Sequence, residues 1–457
     1  MNVKIFGNGL DALICSRKLL EVGHHVELFS TTKNLGGHFS GYKNTHGNFD
    51  TGMVLLENDH RSVSPISLSK YSNEFGRSLR PFLLESFEWL KKISGSFENE
   101  KLLTKLSTGI KIPDYFISDN LVFLDYLGED SRRDLITKLE LYLLHGDSES
   151  KYQPSRKMSD EIFKSLTIED YYLNIFGRNF YEKFFARFSN SVAPETFQKR
   201  ARDHRKFWLP LYFPETIYFA LTQDQVFKNF DVPEVRFEKP QNMMICDMVN
   251  SVSKTIFKHP NFNFKLLNSF SDKDSAVPKN TQTILFVPAD QLQSFLPSSN
   301  RMRIISSEIT KSLESLGSST IHIIHSCIPK NQSETVFFQE DLNGLFRYSI
   351  SQQKGNILNS VASFEFSDKN EFNIEDSLET IKNYGFEILC EGSHISAPFK
   401  PKYLNLPDSK WQEIIDEYES ELKRNLILAP VVHPEANNFN DNLVRGLAYA
   451  AKVSEED

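Results

Sequence analysis

A chain of 457 residues, 40% hydrophobic and 25% charged, has the make-up of a soluble globular protein. At about 150 residues per domain it has room for two or three substantial cores. Its net charge of −8 excludes nucleic acid as a main partner, because phosphate backbones call for a clustered basic surface.

The elements begin at once. Val3 to Phe6 reads as a short apolar strand, Gly7 and Gly9 as a tight turn, and Leu10 through Asp11 and Ala12 to Val22 as a helix with apolar residues on two sides. Gly23 is placed to end it, and Val26 to Phe29 reads as a second strand. A glycine turn between strand and helix lets the backbone approach a pyrophosphate, while the first helical amides of Leu10, Asp11 and Ala12 point at that anion. Ala12 takes the third small position of this fingerprint, where a larger side chain would push helix from strand. A carboxylate expected about 20 residues on, for the ribose hydroxyls, is replaced by Ser30, and Glu27 comes three residues too early.

Lys33-Asn-Leu-Gly36-Gly37-His38-Phe-Ser-Gly41 follows, and Asn48-Phe49-Asp50-Thr51-Gly52 stands a short distance beyond. With the first turn, these segments resemble the flavin-binding amino end of the amine oxidase and protoporphyrinogen oxidase superfamily, which includes the UDP-galactopyranose mutases. That group runs from GxGxxG through an acidic strand end to (R/K)xGGxxxG and a DxG segment. Here the acidic strand end is missing, and Lys33 sits one place early, Asn34 holding the family's basic position. His38 stands where an Arg or Lys often follows the glycine pair, and a neutral imidazole brings less positive charge to the phosphates. The resemblance implies FAD as cofactor, held by Gly7, Gly9, Leu10, Asp11, Ala12, Ser30, Gly36, Gly37, His38, Asp50 and Gly52.

From about Leu55 to Ser148 the pattern changes character. Ser78 to Phe97 and Ser131 to Leu144 carry leucines and phenylalanines at helical spacing, as packing elements of an inserted domain. In Leu166 to Phe185, Thr167 is placed to cap a helix that Gly177 ends before another begins. This stretch resembles one wall of the substrate cavity in the mutase and protoporphyrinogen oxidase-like branch. The mutases' Lys-x-Trp-Gly signature is absent, Phe188 to Pro194 standing in its place. Arg200, Arg202, His204, Arg205 and Lys206 form a basic cluster that reads either as a site for an anionic small-molecule substrate or as a solvated helix face.

Asn242 to Phe257 is helical again, and Phe262 to Leu267 and Thr283 to Val287 read as strands. Between Ile321 and Phe366 four β-like segments suggest an antiparallel sheet roofing the cavity. His322 and His325 lie three apart on a strand and face opposite sides, which rejects a metal pair. Leu345-Phe-Arg347-Tyr-Ser-Ile resembles the strand that carries an arginine near flavin and substrate in the mutase-like branch, so Arg347 is the leading candidate for a substrate contact. A strand-edge ion pair is the competing reading. Tyr403 resembles a crossover tyrosine of the same enzymes, with packing as its alternative. Trp411 to Arg424 reads as a charged amphipathic helix, and Leu426 to Ala429 as a strand. The last run, with Asn440, Asp441 and Asn442 at the start of a helix capped by Asn440 or Asp441, is by resemblance the helix under the flavin, its dipole stabilising negative charge on the reduced ring.

The expected architecture is α/β. A discontinuous Rossmann-like FAD-binding domain (GxGxxA plus the glycine pair) takes residues 1–65, 235–295 and 425–457. An inserted mixed helical and antiparallel β substrate domain takes 66–234 and 296–424. Four scattered cysteines (Cys15, Cys246, Cys327, Cys390), no apolar run near the ~20 residues that span a bilayer, and a first strand with no leader before it imply a reducing, cytoplasmic setting. The resemblance implies an FAD-dependent oxidoreductase passing a hydride from a C–N or C–C bond to flavin N5. The alternatives are a sugar-nucleotide mutase using reduced flavin, and a flavin-fold binding protein without catalysis.

Overall fold

The computed structural model describes residues 1–44, 47–52, 54–57, 80–115, 120–145, 167–186, 212, 214–230, 237–241, 243–270, 281–287, 295, 313–315, 319–329, 334–352, 359–367, 372–399, 402–404, 426–428 and 439–455. The basic cluster at 200–206, residues 188–194 and the helix expected over 411–424 fall outside them.

Five parallel strands form one sheet, in the order Phe262–Leu266, His25–Ser30, Asn2–Phe6, Gln282–Leu285, Leu426–Leu428. Parallel neighbours need crossover connections. The helix Leu10–Glu21 makes the first crossover, and Ile245–Phe257 leads into the edge strand. Val3, Ile5, Leu28 and Ile284 are buried, as a sheet covered on both faces requires. They share one core with Leu13 and Ala12 of the first helix, Val249 and Val252 of the second crossover helix, and Leu443 and Ala450 of the terminal helix Phe439–Glu455. Gly23 has φ 92° just past the first helix, the left-handed end that its position predicts.

The terminal helix starts at Phe439, so Asn440 and Asp441 lie in its first turn and not at its cap. It packs on the first helix at very short range. A Cβ at Gly446 would stand 2.6 Å from the carbonyl oxygen of Asp11 and 2.9 Å from Cβ of Ile14.

A second sheet has seven strands, in the order Cys390–Phe399, Ser319–Pro329, Asn359–Ser367, Leu345–Gln352, Glu334–Leu342, Leu102–Lys105, Lys111–Pro113. The expected antiparallel set is there, and residues 102–113 add two strands in a stretch for which the sequence predicts no element. Leu102–Lys105 runs parallel to Glu334–Leu342. Segments of three or four residues carry too little periodicity to be read, and the strand that ties Leu102–Lys105 into the sheet is more than 200 residues away, while Lys111–Pro113 pairs with Leu102–Lys105.

One face of this sheet buries Ile324, Val336, Phe338, Tyr348, Phe364 and Phe366 beneath Ile381 of the helix Ile374–Asn383. On the other, Ile321, Ile323, Phe337 and Phe346 join an aromatic core with Tyr115, Phe123, Tyr171, Phe180 and Phe184. The last three belong to the helices Ile168–Ile175 and Arg178–Phe184. Thr167 caps the former, accepting from the Asp170 amide at 3.0 Å, and Gly177 separates the two with φ 91°. Helices also run over Arg80–Ser94 and Glu129–His145, within a few residues of expectation.

A three-stranded sheet of Leu56–Glu57, Phe237–Pro240 and Phe97–Asn99 adjoins the larger one. Its Lys239 is buried, with Nζ 2.7 Å from Glu100 and donating to the Ile350 carbonyl at 2.6 Å, while Thr335 donates to Glu100 at 2.8 Å. Among the described residues no helix is long and apolar enough to cross a membrane.

Gly446→Ala drives a methyl into backbone and should cost about 2 kcal/mol or more, as overpacking of a tight core does. Urea unfolding of the two proteins measures the difference.

Candidate functional site

Two glycine bends meet at the carboxyl ends of the central strands. Gly9 and Gly36 form an isolated parallel bridge, and the Gly36 amide donates to the Asn8 carbonyl at 3.0 Å. Gly36 and Gly37 hold φ of 105° and 57°, which side chains rarely adopt, and a Cβ at Gly37 would lie 3.4 Å from Cα of Gly9. Gly7 is pressed against the next strand, where a Cβ would meet the Phe286 carbonyl at 2.7 Å. The first helix starts at Gly9, and that N-cap residue makes no side-chain cap hydrogen bond. First-turn amides of such a helix are an anion seat. Leu10 and Ala12 are buried, so only their backbones can serve a ligand there.

Asp11 changes the electrostatics of that seat. Its carboxylate accepts from the Ala12 amide at 2.9 Å and, across the packed helices, from Nη1 of Arg445 at 3.0 Å. Both residues are only 3% exposed. Burial raises the Asp11 pKa, and the Arg445 charge opposes the rise. Sequence reasoning included Asp11 for its amide and missed Arg445, whose one signal was a long cation inside an otherwise small and apolar helix face.

Several candidates are engaged elsewhere. The Ser30 hydroxyl, fully buried, donates to the Thr32 carbonyl at 2.7 Å and accepts from the Thr32 amide at 3.1 Å, closing its own turn instead of facing a ribose. Glu27 pairs with Lys265 at 2.6 Å and Lys4 at 3.5 Å. Asp50 caps the helix Ile245–Phe257, accepting from the amides of Ile245 at 3.2 Å and Cys246 at 2.7 Å. Burial raises its pKa while those bonds pull it down. Tyr403 sits on the short strand Lys402–Leu404, opposite Glu314 in a two-stranded sheet. Asn442, partly buried, lies in the first turn of the terminal helix.

His38 keeps solvent-exposed surface, yet the surrounding walls desolvate it, lowering its pKa against the pull of Glu365. The imidazole is therefore a neutral hydrogen-bonding group. Glu365 reaches this region from the large sheet, and a Cβ at Gly52 would stand 3.7 Å from each of its carboxylate oxygens. Arg347 is directly opposite Glu365 in register. Its Nε donates to Oε1 at 3.1 Å and its Nη2 to Oε2, a bidentate pair with both residues at most 2% exposed. Its guanidinium also lies 5.4 Å from the Phe337 ring centre. The ion pair foreseen as the competing reading exists, but in the interior and not at a strand edge. Glu365 was missed, although Ser363, Glu365 and Ser367 alternating with Phe364 and Phe366 marked it as facing the other way.

His322 and His325 do point to opposite faces. His322 stacks on Phe372 at 3.9 Å and approaches His394 at 3.1 Å. His325 is 1% exposed, stacked on Phe49 at 4.9 Å, with Nδ1 2.8 Å from the Ser363 hydroxyl. Its Nε2 is buried with no hydrogen-bond partner among the described residues. Burial lowers its pKa to about 4.

Solved structures of the same architecture cover the whole chain. A reduced UDP-galactopyranose mutase matches 100% of this chain and 96% of its own, at 13% identity and a TM-score of 0.62. A protein from Exiguobacterium assigned as a protoporphyrinogen oxidase matches 100% and 99%, at 13% identity and 0.58. Putrescine oxidase bound to putrescine matches 100% and 99%, at 11% and 0.54. The chain shares their fold. No family model and no curated protein sequence matches it.

His325 generates a pH prediction. Its folded pKa of about 4 lies below the ordinary 6.5, so between these values the unfolded chain binds more protons and stability rises with pH. The contribution is complete above pH 6.5 and lost as pH falls toward 4, up to about 3 kcal/mol for a shift of this size. His325→Gln should flatten that part of the stability profile, read from urea unfolding at a series of pH values.

Proposed function

We propose that this chain is an FAD-dependent oxidoreductase acting on a C–N or C–C bond of a small organic substrate. The observation that carries the reading is the meeting of Gly9 with Gly36 and Gly37 at the start of the first helix. Such a cradle leaves no room for side chains beside an anion seat, which is what an extended dinucleotide diphosphate requires. The full-length fold match to a mutase, a protoporphyrinogen oxidase-like protein and an amine oxidase supports the same reading.

In this proposal residues 1–65, 235–295 and 425–457 make the cofactor domain, and 66–234 with 296–424 the substrate side. Gly7, Gly9, Leu10, Gly36 and Gly37 offer backbone to the diphosphate. The amino end of the terminal helix, at Asn440, Asp441 and Asn442, lends its dipole to the ring. When bound, FAD supplies the two-electron acceptor, the chemistry that no side chain here can provide. With Ser30 turned inward, the ribose is held without the usual carboxylate. Neutral His38 offers a hydrogen bond and no cation. Arg347 and Glu365 together present no net charge, and they fix the wall over Gly52 instead of gripping an anion. An uncharged or cationic reacting group suits such a wall better than a phosphate.

A second reading, a mutase-like isomerase working with reduced flavin, is favoured by the fold match to the mutase. Anaerobic mixing of FAD-loaded protein with amines and other small reductants, followed by absorbance, separates the two. The oxidoreductase reading expects one substrate to bleach the oxidised flavin and a dye or oxygen to restore it. Turnover of a sugar nucleotide only after prior reduction, with no net consumption of electrons, would contradict it and select the isomerase.

A further inference from the structure

The fingerprint helix carries its own anion. The Asp11 carboxylate is one residue past the start of the helix, buried, and hydrogen-bonded to the amide of Ala12. It thus draws on the same positive end of the helix that a diphosphate would use. A carboxylate so placed repels a diphosphate unless its charge is cancelled. Arg445, 434 positions away in sequence, reaches it at 3.0 Å from the terminal helix, and the close seat of Gly446 on the Asp11 carbonyl holds the two helices at that separation.

We propose that Arg445 is a positioning residue for the cofactor diphosphate, acting through Asp11 by cancelling the carboxylate charge and keeping that carboxylate turned onto the helix amide. The inference rests on the FAD reading above. It differs from a purely structural role in one respect, the sign of two substitutions. Breaking a buried pair from either side lowers stability, because each takes a counter-ion away from the opposite buried charge. The effects on diphosphate binding run in opposite directions. Arg445→Met leaves an anion beside an anion. Asp11→Asn removes the anion, keeps an oxygen for the Ala12 amide, and leaves a cation near the diphosphate.

The experiment is equilibrium titration of flavin-free full-length protein with FAD, followed by quenching of flavin fluorescence, alongside urea unfolding of each variant without flavin. Arg445→Met is expected to weaken FAD binding about tenfold or more. Asp11→Asn should bind FAD as tightly as the parent or several-fold more tightly, although its unfolding midpoint falls. Arg445→Lys, which keeps the charge, should recover most of the affinity, and it serves if the methionine variant does not fold. Parallel losses of affinity and stability in both single variants would overturn the inference and leave the FAD reading in place. A parent protein that binds no FAD would overturn both.

Discussion

The structure depends on the contact between two helices from opposite ends of the chain. Leu10–Glu21 and Phe439–Glu455 approach until Gly446 rests on the Asp11 carbonyl and the Cβ of Ile14, and an ion pair spans the seam. Only a glycine permits that spacing. It sets where the first helix begins, hence where its amides point, and the second glycine bend then closes on the first through the Gly9 and Gly36 bridge. Everything suggested about cofactor binding follows from this arrangement of backbone, because almost every side chain at the seat is either absent or buried.

Buried charge pairs recur where separate elements must be held in register. Asp11 with Arg445 and Glu100 with Lys239 join elements from distant parts of the chain, and Arg347 with Glu365 joins two consecutive strands of the large sheet. Pairs of this kind add little net stability over apolar packing, because desolvation offsets most of the Coulomb gain. They do penalise any arrangement that separates the partners. The two flanking the glycine cleft also leave it without an uncompensated charge from these residues. Under the FAD proposal, such a site would hold its ligand by backbone and shape, in keeping with the neutral His38 and the inward-turned Ser30.

Much of this was legible in the sequence because it is local. Glycines at 7, 36 and 37 hold backbone geometries that other residues resist, and the alternation in Val361-Ala-Ser-Phe-Glu-Phe366 fixes a strand with two unlike faces. What escaped is non-local. Strand Leu102–Lys105 gains its identity from a partner more than 200 residues away. Asp50 fitted a cofactor motif by spacing, yet its carboxylate caps a helix that begins 195 residues later. Arg347 was singled out as a candidate substrate contact, but whether its charge is open to a ligand depends on Glu365 directly opposite, and only strand register reveals that.

The central claim is that the paired glycine bends seat the diphosphate of an extended dinucleotide. Comparing the affinity of ligand-free protein for FAD and for FMN tests it most directly, since the two share the flavin and differ in the diphosphate and adenosine. The account predicts one FAD per chain, bound far more tightly than FMN and displaced by ADP. Equal affinity for the two flavins, or no binding of FAD, would contradict it.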